Sequence, residues 1–142
     1  MIEMGIIPQV AKGIIYYDEL FLLQLRDNKL EITYPNQWSF FGGEIEENET
    51  PWMALKREIK EELEWEPEKG EFLYNWINPE DPCRIHFFAI PFTDKSQELV
   101  LHEGQSLGWF NLSQIKNMNS VAFHVVEHLT RASSLLNHKL SS

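Results

Sequence analysis

Residues 43–65 read GEIEENETPWMALKREIKEELEW, and the order of charged and apolar side chains in this stretch decides the architecture. Thr50 is a good N-cap and Pro51 a good first helical residue, so the pattern predicts a helix starting there. At about 100° per residue, Glu58, Glu61 and Glu62 share one sector roughly 100° wide. Ala54 lies in the same sector and adds no bulk. Trp52, Leu55, Ile59 and Leu63 form an adjacent apolar stripe that can dock on a sheet. The helix therefore carries a carboxylate row beside a buried stripe. Like charges this close repel one another, and a bound cation relieves the repulsion. A ligand set made only of oxygens suits a hard divalent ion, Mg²⁺ or Mn²⁺, over Zn²⁺. An ordinary solvated acidic face is commonly paired with lysine at i+4, whereas Lys56 and Lys60 here form a like-charge pair.

The fixed spacings carry a second message. Gly43, Glu49, Arg57, Glu58, Ile59, Glu61, Glu62 and Trp65 fill their places in the pattern GX5EX7REUXEEXGU, where U is bulky and apolar. The stretch resembles the Nudix box. The resemblance implies a metal-dependent hydrolase of a nucleoside diphosphate linked to another moiety. It also implies Glu58, Glu61 and Glu62 as metal ligands and catalytic groups, with the Gly43 carbonyl as a further ligand. Arg57 and Glu49 resemble the pair that ties the loop to the helix. Gly42 and Gly43 would let the loop turn tightly and bring backbone close to the metal. Glu64 departs from the pattern, which has glycine there. It falls just past the last helical turn, so it must accept a left-handed conformation at about 1 kcal/mol or let the helix run on. Phe41 is a second departure, since many family members carry proline before the double glycine.

Outward from the box, Val10 to Tyr17 and Leu20 to Leu25 read as a hairpin around Asp18-Glu19. Asp27 to Gln37 is a loop and Trp38 to Phe41 a short strand entering the box. Pro67 to Gly70 is a turn. Phe72 to Ile77, Arg84 to Phe92 and Leu107 to Phe110 are strands, and Asp94 to Leu101 is a mixed segment with room for one short strand. Leu112 to Lys116 reads as a short helix and Val121 to Leu136 as a longer one. This order predicts an α/β fold, a mixed central β-sheet between helices. The Nudix resemblance implies the same α/β/α sandwich over most of the chain.

Composition agrees. The 142 residues read as one domain, 43% hydrophobic, large enough for a core. A net charge of −10 argues against a duplex nucleic-acid partner, because phosphate contacts need a basic surface. It leaves open a small phosphorylated substrate, since bound metal reverses the local field. The single Cys83 cannot form an internal disulfide and fits a reducing cytoplasm, and no apolar run is long enough to span a bilayer.

Outside the box, His102-Glu103-Gly104-Gln105 followed by Trp109-Phe110 resembles MutT-type members, in which a glutamate on the loop before the last strand joins the metal site or acts as base. That implies a catalytic role for Glu103, against the alternative of a surface-loop glutamate. Arg26, at the end of a strand, can reach substrate phosphates with a bidentate fork or simply face solvent. Asn119 lies where MutT-type proteins place a base-reading asparagine, and asparagine is also a plain N-cap. Trp38, Trp76 and Phe123 could stack on a base, though core packing is the commoner role. His124-Val125-Val126-Glu127-His128 matches the H-x-x-E-H pattern of some zinc proteases, but a third protein ligand is wanting.

The reading that results is a Mg²⁺- or Mn²⁺-dependent enzyme cleaving a pyrophosphate linkage. The favoured substrate is a nucleoside triphosphate, an oxidised one included, split to monophosphate and pyrophosphate. ADP-ribose or a nucleotide sugar is the alternative. A non-catalytic nucleotide-binding module is the second, and the retention of every box glutamate weighs against it.

Overall fold

In the computed structural model, residues 6–93 and 97–140 are described, with side chains to 137. One mixed sheet lies between helices. Strand β1 (Gln9–Tyr17) runs along the middle, parallel to β6 (Arg84–Pro91), and β6 pairs antiparallel with the edge strand β5 (Glu71–Ile77). On the other side of β1 the sheet splays. Only Tyr16 and Tyr17 of β1 pair with β2 (Leu20–Leu25), across the Asp18 turn. The gap this leaves is filled by residues 38–44. Their first part, β3 (Trp38–Ser39), pairs with the far end of β2, and their second part, β4 (Phe41–Glu44), pairs with the near end of β1. The single short strand expected over Trp38 to Phe41 is thus two strands with a change of partner at Phe40. The remaining strand, β7 (Ser106–Phe110), covers the other edge of β2.

Alternation along β1 sorts the two layers. Ala11 and Ile15 face helix α1 (Pro51–Leu63), packing with Leu22, Phe41, Leu55, Ile59 and Leu63. Ile14 faces helix α3 (Val125–Leu140), packing with Leu23, Phe40, Phe87, Val125 and Leu129. Leu55, Ile59 and Leu63 are fully buried, each worth about 1.5–3 kcal/mol of transfer free energy. This is the expected α/β/α sandwich. The short helix α2 (Leu112–Lys116) follows β7, closed at its start by a capping box between Asn111 and Gln114.

Two boundaries differ from the sequence reading. Helix α3 starts at Val125, not Val121. Trp38 N–H donates to Ser120 O at 2.7 Å and Ala122 N–H donates to Trp38 O at 3.0 Å, so residues 120–122 extend the sheet beside β3. Of the segment 94–101, Asp94, Lys95 and Ser96 lie outside the described residues, and 97–101 holds no strand. Val100 N–H instead donates to Leu63 O and His102 N–H to Glu62 O, satisfying carbonyls that the end of α1 leaves open. No helix among the described residues is long and apolar enough to cross a membrane.

Candidate active site

The box helix begins and ends as its sequence dictates. Thr50 Oγ1 accepts from Met53 N–H at 3.1 Å and Pro51 occupies the first turn. Glu64 closes the helix in the left-handed region, φ 53°, its N–H bonded to Lys60 O. It therefore takes the strained alternative rather than prolonging the helix. Its carboxylate meets His102 Nε2.

Arg57 ties the preceding loop to α1. Its Nε and Nη2 donate to the two oxygens of Glu49 at 2.8 and 2.9 Å, and Nη2 reaches Glu44 O. Glu46 N–H also bonds Glu49, and these donors hold the Glu49 carboxyl down at about 2. Arg57 Nη1 donates to Glu58 at 2.9 Å and lies 3.7 Å from Glu61, its neighbour one helical turn on. So Glu61 does have a cation partner, four residues before it rather than after.

The backbone comes close to this network at the double glycine. Gly42, φ 141°, lies against β1 so tightly that a Cβ would run into the Ala11 carbonyl oxygen. A Cβ on Gly43 would stand 2.5 Å from the Glu58 carboxyl carbon. The Glu58 carboxylate therefore lies directly over the Gly43 backbone.

Beside it opens a cavity of about 320 Å³, of a size for a small ligand. Glu58, Glu62, Glu103, Gly43 and Arg26 line it, whereas Glu61 and Asn119 do not. The Glu61 side chain is 61% exposed, and Asn119 sits exposed in the turn before residues 120–122, six residues ahead of α3 and not its cap. Among the described residues no three carboxylate, imidazole or thiol groups converge on one point.

Glu62 is the unusual member. It is 3% exposed, and its Oε2 is sealed without a hydrogen-bond partner. Burial pushes its carboxyl up to about 8. Lys12 opposes that rise, while the Glu58 and Glu103 carboxylates and a hydrogen bond with Glu58 add to it. Lys12, on β1, projects from the α3 face into the same cavity. Its ammonium makes no ion pair among the described residues, and burial followed by the nearby Arg26 charge lowers its pKa against the pull of Glu62 and Glu58. With Glu44 and Asp81 also on its wall, the cavity thus sets two cations against five carboxylates. Arg26 is steered by its own loop, donating from Nε to Thr33 O at 2.7 Å. Gln105 holds the Glu103 loop in place through Arg26 O, Asn36 Oδ1 and Leu25 O. Gly104 makes the sharp turn there with φ 85°.

Nothing in the sequence alone singles out Lys12. It is one lysine among apolar residues in Val10 to Tyr17, but which sheet face it occupies is a tertiary fact. His124, also on the cavity wall, was visible only as half of a protease-like pattern. Both histidines of that pattern are buried, and burial lowers each to about 4, helped by Lys12 at His124 and by His124 and Arg131 at His128. Trp76 and Phe123 pack around them, with ring centroids 4.4 Å from His128 and 5.1 Å from His124 respectively.

A family model described as the NUDIX domain matches residues 7–129. The chain is 33% identical over 101 residues to the CTP pyrophosphohydrolase of Escherichia coli (strain K12), covering 71% of this chain and 73% of that protein. The crystal structure of a MutT protein from Methanosarcina mazei Go1 superposes with a TM-score of 0.75 at 16% identity, over 91% of this chain and 95% of the other. The NUDIX domain of Shewanella oneidensis NrtR, in complex with ADP ribose, superposes with a TM-score of 0.77 at 16% identity, over 94% and 90%. The match along residues 7–129 and the carboxylate-lined cavity agree: this chain belongs to the Nudix hydrolase family. It is a hydrolase of the pyrophosphohydrolase kind, acting on a nucleoside diphosphate derivative.

Proposed function

We propose that the chain hydrolyses a nucleoside triphosphate to the monophosphate and pyrophosphate, with Mg²⁺ or Mn²⁺ as cofactor. One observation carries the reading. A buried carboxylate with a free oxygen, Glu62, stands beside Glu58 over the Gly43 backbone, and Lys12 and Arg26 face them across one cavity.

The donors fit a hard divalent ion. All are oxygens, and Glu62 Oε2 is a sealed acceptor that lacks a donor. Glu58 and Glu62, with the Gly43 carbonyl, would hold the ion, and Glu61 would join by turning away from Arg57. A bound ion would neutralise phosphate charge and ready a water for attack on phosphorus. Lys12 and Arg26 bind and orient the phosphate chain, while the bound ion would offset the carboxylates around them. Glu103, at the rim, takes a proton from the attacking water. Arg57 and Glu49 keep the loop and helix in register and do not touch substrate. Asn119 contacts the nucleoside only if residues 117–120 close over the cavity.

The E. coli relative acts on CTP, so cytidine triphosphate heads the test. Purified protein with Mg²⁺ is incubated with the common nucleoside triphosphates and the products are separated. The expected result is monophosphate and pyrophosphate in equal amounts, abolished by chelation. Absence of pyrophosphate from every triphosphate overturns the proposal.

A further inference from the structure

His124 lies immediately before α3, its carbonyl accepting from His128 N–H at 3.1 Å. The ring is 4% exposed and wedged among Tyr34, Phe123 and Trp76, with centroids at 5.5, 5.1 and 5.3 Å. It nevertheless forms part of the cavity wall. Neither of its nitrogens has a hydrogen-bond partner among the described residues. Nδ1 is sealed inside, which leaves Nε2 as the nitrogen on the cavity side.

The neighbouring histidine supplies no partner. His128 is fully buried, its Nδ1 bonded to the Tyr74 hydroxyl at 2.8 Å and its Nε2 sealed without a partner. A phenol O–H is the natural donor and a neutral imidazole nitrogen the natural acceptor. With Tyr74 donating to Nδ1, the His128 proton sits on Nε2 as an unmatched donor. Nδ1 of His124 is sealed likewise, and although the two rings stand edge to face with centroids 5.5 Å apart, no hydrogen bond joins them. A sealed nitrogen with no acceptor beside it is the costlier place for a proton, which puts the His124 proton on Nε2. An N–H then faces the cavity with no acceptor among the described residues, and buried donors are rarely left so. The nearby amide is committed: Asn78 donates to the Tyr34 hydroxyl and accepts from Glu80 N–H.

We propose that His124 is a specificity-determining residue whose Nε2–H donates to a ring carbonyl oxygen of the nucleobase. The inference rests on the cavity being a nucleotide site. It selects bases that carry a ring carbonyl (cytosine, guanine, uracil) over adenine, whose edge offers no carbonyl. A site built around a hydrogen bond rejects a ligand that leaves the donor unmatched.

The test compares kcat and KM for CTP and ATP in the parent, His124→Phe and His124→Gln. The amide of glutamine reaches about where Nε2 lies, whereas phenylalanine keeps the ring and removes both nitrogens. The expected result for His124→Phe is a KM for CTP raised roughly 10-fold, the usual scale for one lost hydrogen bond, with kcat changed far less. The preference for CTP over ATP should fall with it. His124→Gln should recover most of that preference. If the Phe variant does not fold, His124→Asn, whose amide stops near the Nδ1 position, takes its place. Equal CTP-to-ATP preference in parent and variants overturns the inference and leaves the functional reading standing, as does a parent that splits both triphosphates equally well. A parent that splits no triphosphate overturns the functional reading, and this inference with it.

Discussion

The two buried histidines should make the fold acid-sensitive in a way that can be dissected. His124 and His128 have folded-state pKa values near 4, against 6.5 for an exposed ring, because burial disfavours the charged form. The unfolded chain therefore binds more protons than the folded one between pH 4 and 6.5. Stability from these rings is fully present above pH 6.5 and drains away as pH falls toward 4. For one ring the loss amounts to about 3 kcal/mol over the full window, and near pH 5 the two together steepen the slope by about 2.5 kcal/mol per pH unit. The groups around the pair do not rescue it. Lys12 and Arg131 are cations that add to the penalty, and the Tyr74 hydroxyl is neutral. The assay is urea unfolding from pH 7.5 to 4.5 for the parent and the double variant His124→Gln/His128→Gln. Carboxylates contribute the same background to both proteins, so the difference in slope isolates the histidines. The variant should start less stable at pH 7.5 and lose stability more slowly, the two curves converging near pH 4.5. Parallel curves would refute the reasoning, since they would mean that the rings are not held neutral by the fold.

Other expectations concern the box. Glu62→Gln should lower turnover at saturating Mg²⁺ by about 100-fold or more and Glu61→Gln by less, because Glu62 lines the cavity while Glu61 leans on Arg57; steady-state kinetics with a metal titration would show the order. Gly43→Ala should displace the flexible end of Glu58, weakening metal affinity at least about tenfold with a small change in Tm, whereas Gly42→Ala meets rigid backbone and should lower Tm severely. Arg57→Ala and Glu49→Gln should each reduce Tm and metal affinity, and their double variant should be less than additive. A change in KM alone for Arg57→Ala would place that residue on the substrate instead.

What could be read along the chain was what depends on local periodicity. The cap at Thr50, the stripe of Leu55, Ile59 and Leu63 and the sector holding Glu58 and Glu62 all follow from 3.6 residues per turn, and they stand where that period puts them. The hairpin of β1 and β2 follows equally from its own alternation and turn. What could not be read depends on partners far away in sequence. Residues 38–44 look like one strand because nothing local tells Phe40 to change partners, and Val121 looks helical because its competing bond lies on Trp38. Lys12 and His124 meet at one cavity from opposite ends of the chain. Glu61 shows a different limit: helical direction placed it in the carboxylate row, but its long side chain turns to the arginine one helical turn back.

Glu64 shows how a departure from the family pattern is absorbed. A residue with a side chain in the left-handed region gives up about 1 kcal/mol relative to glycine. What stands against that cost is the contact between its carboxylate and His102, a surface pair worth at most about 1 kcal/mol. The energies nearly cancel, so stability alone does not account for the residue. Its position does more. Val100 and His102 donate backbone bonds to the carbonyls of Leu63 and Glu62, and Glu103 follows directly. The side-chain contact adds a third tie between the end of α1 and the segment that carries Glu103 to the cavity rim. Glycine at 64 would leave two backbone bonds between α1 and that segment, besides the Gln105 bonds on its far side. With glutamate there, the helix that bears Glu62 also fixes the direction from which Glu103 approaches it.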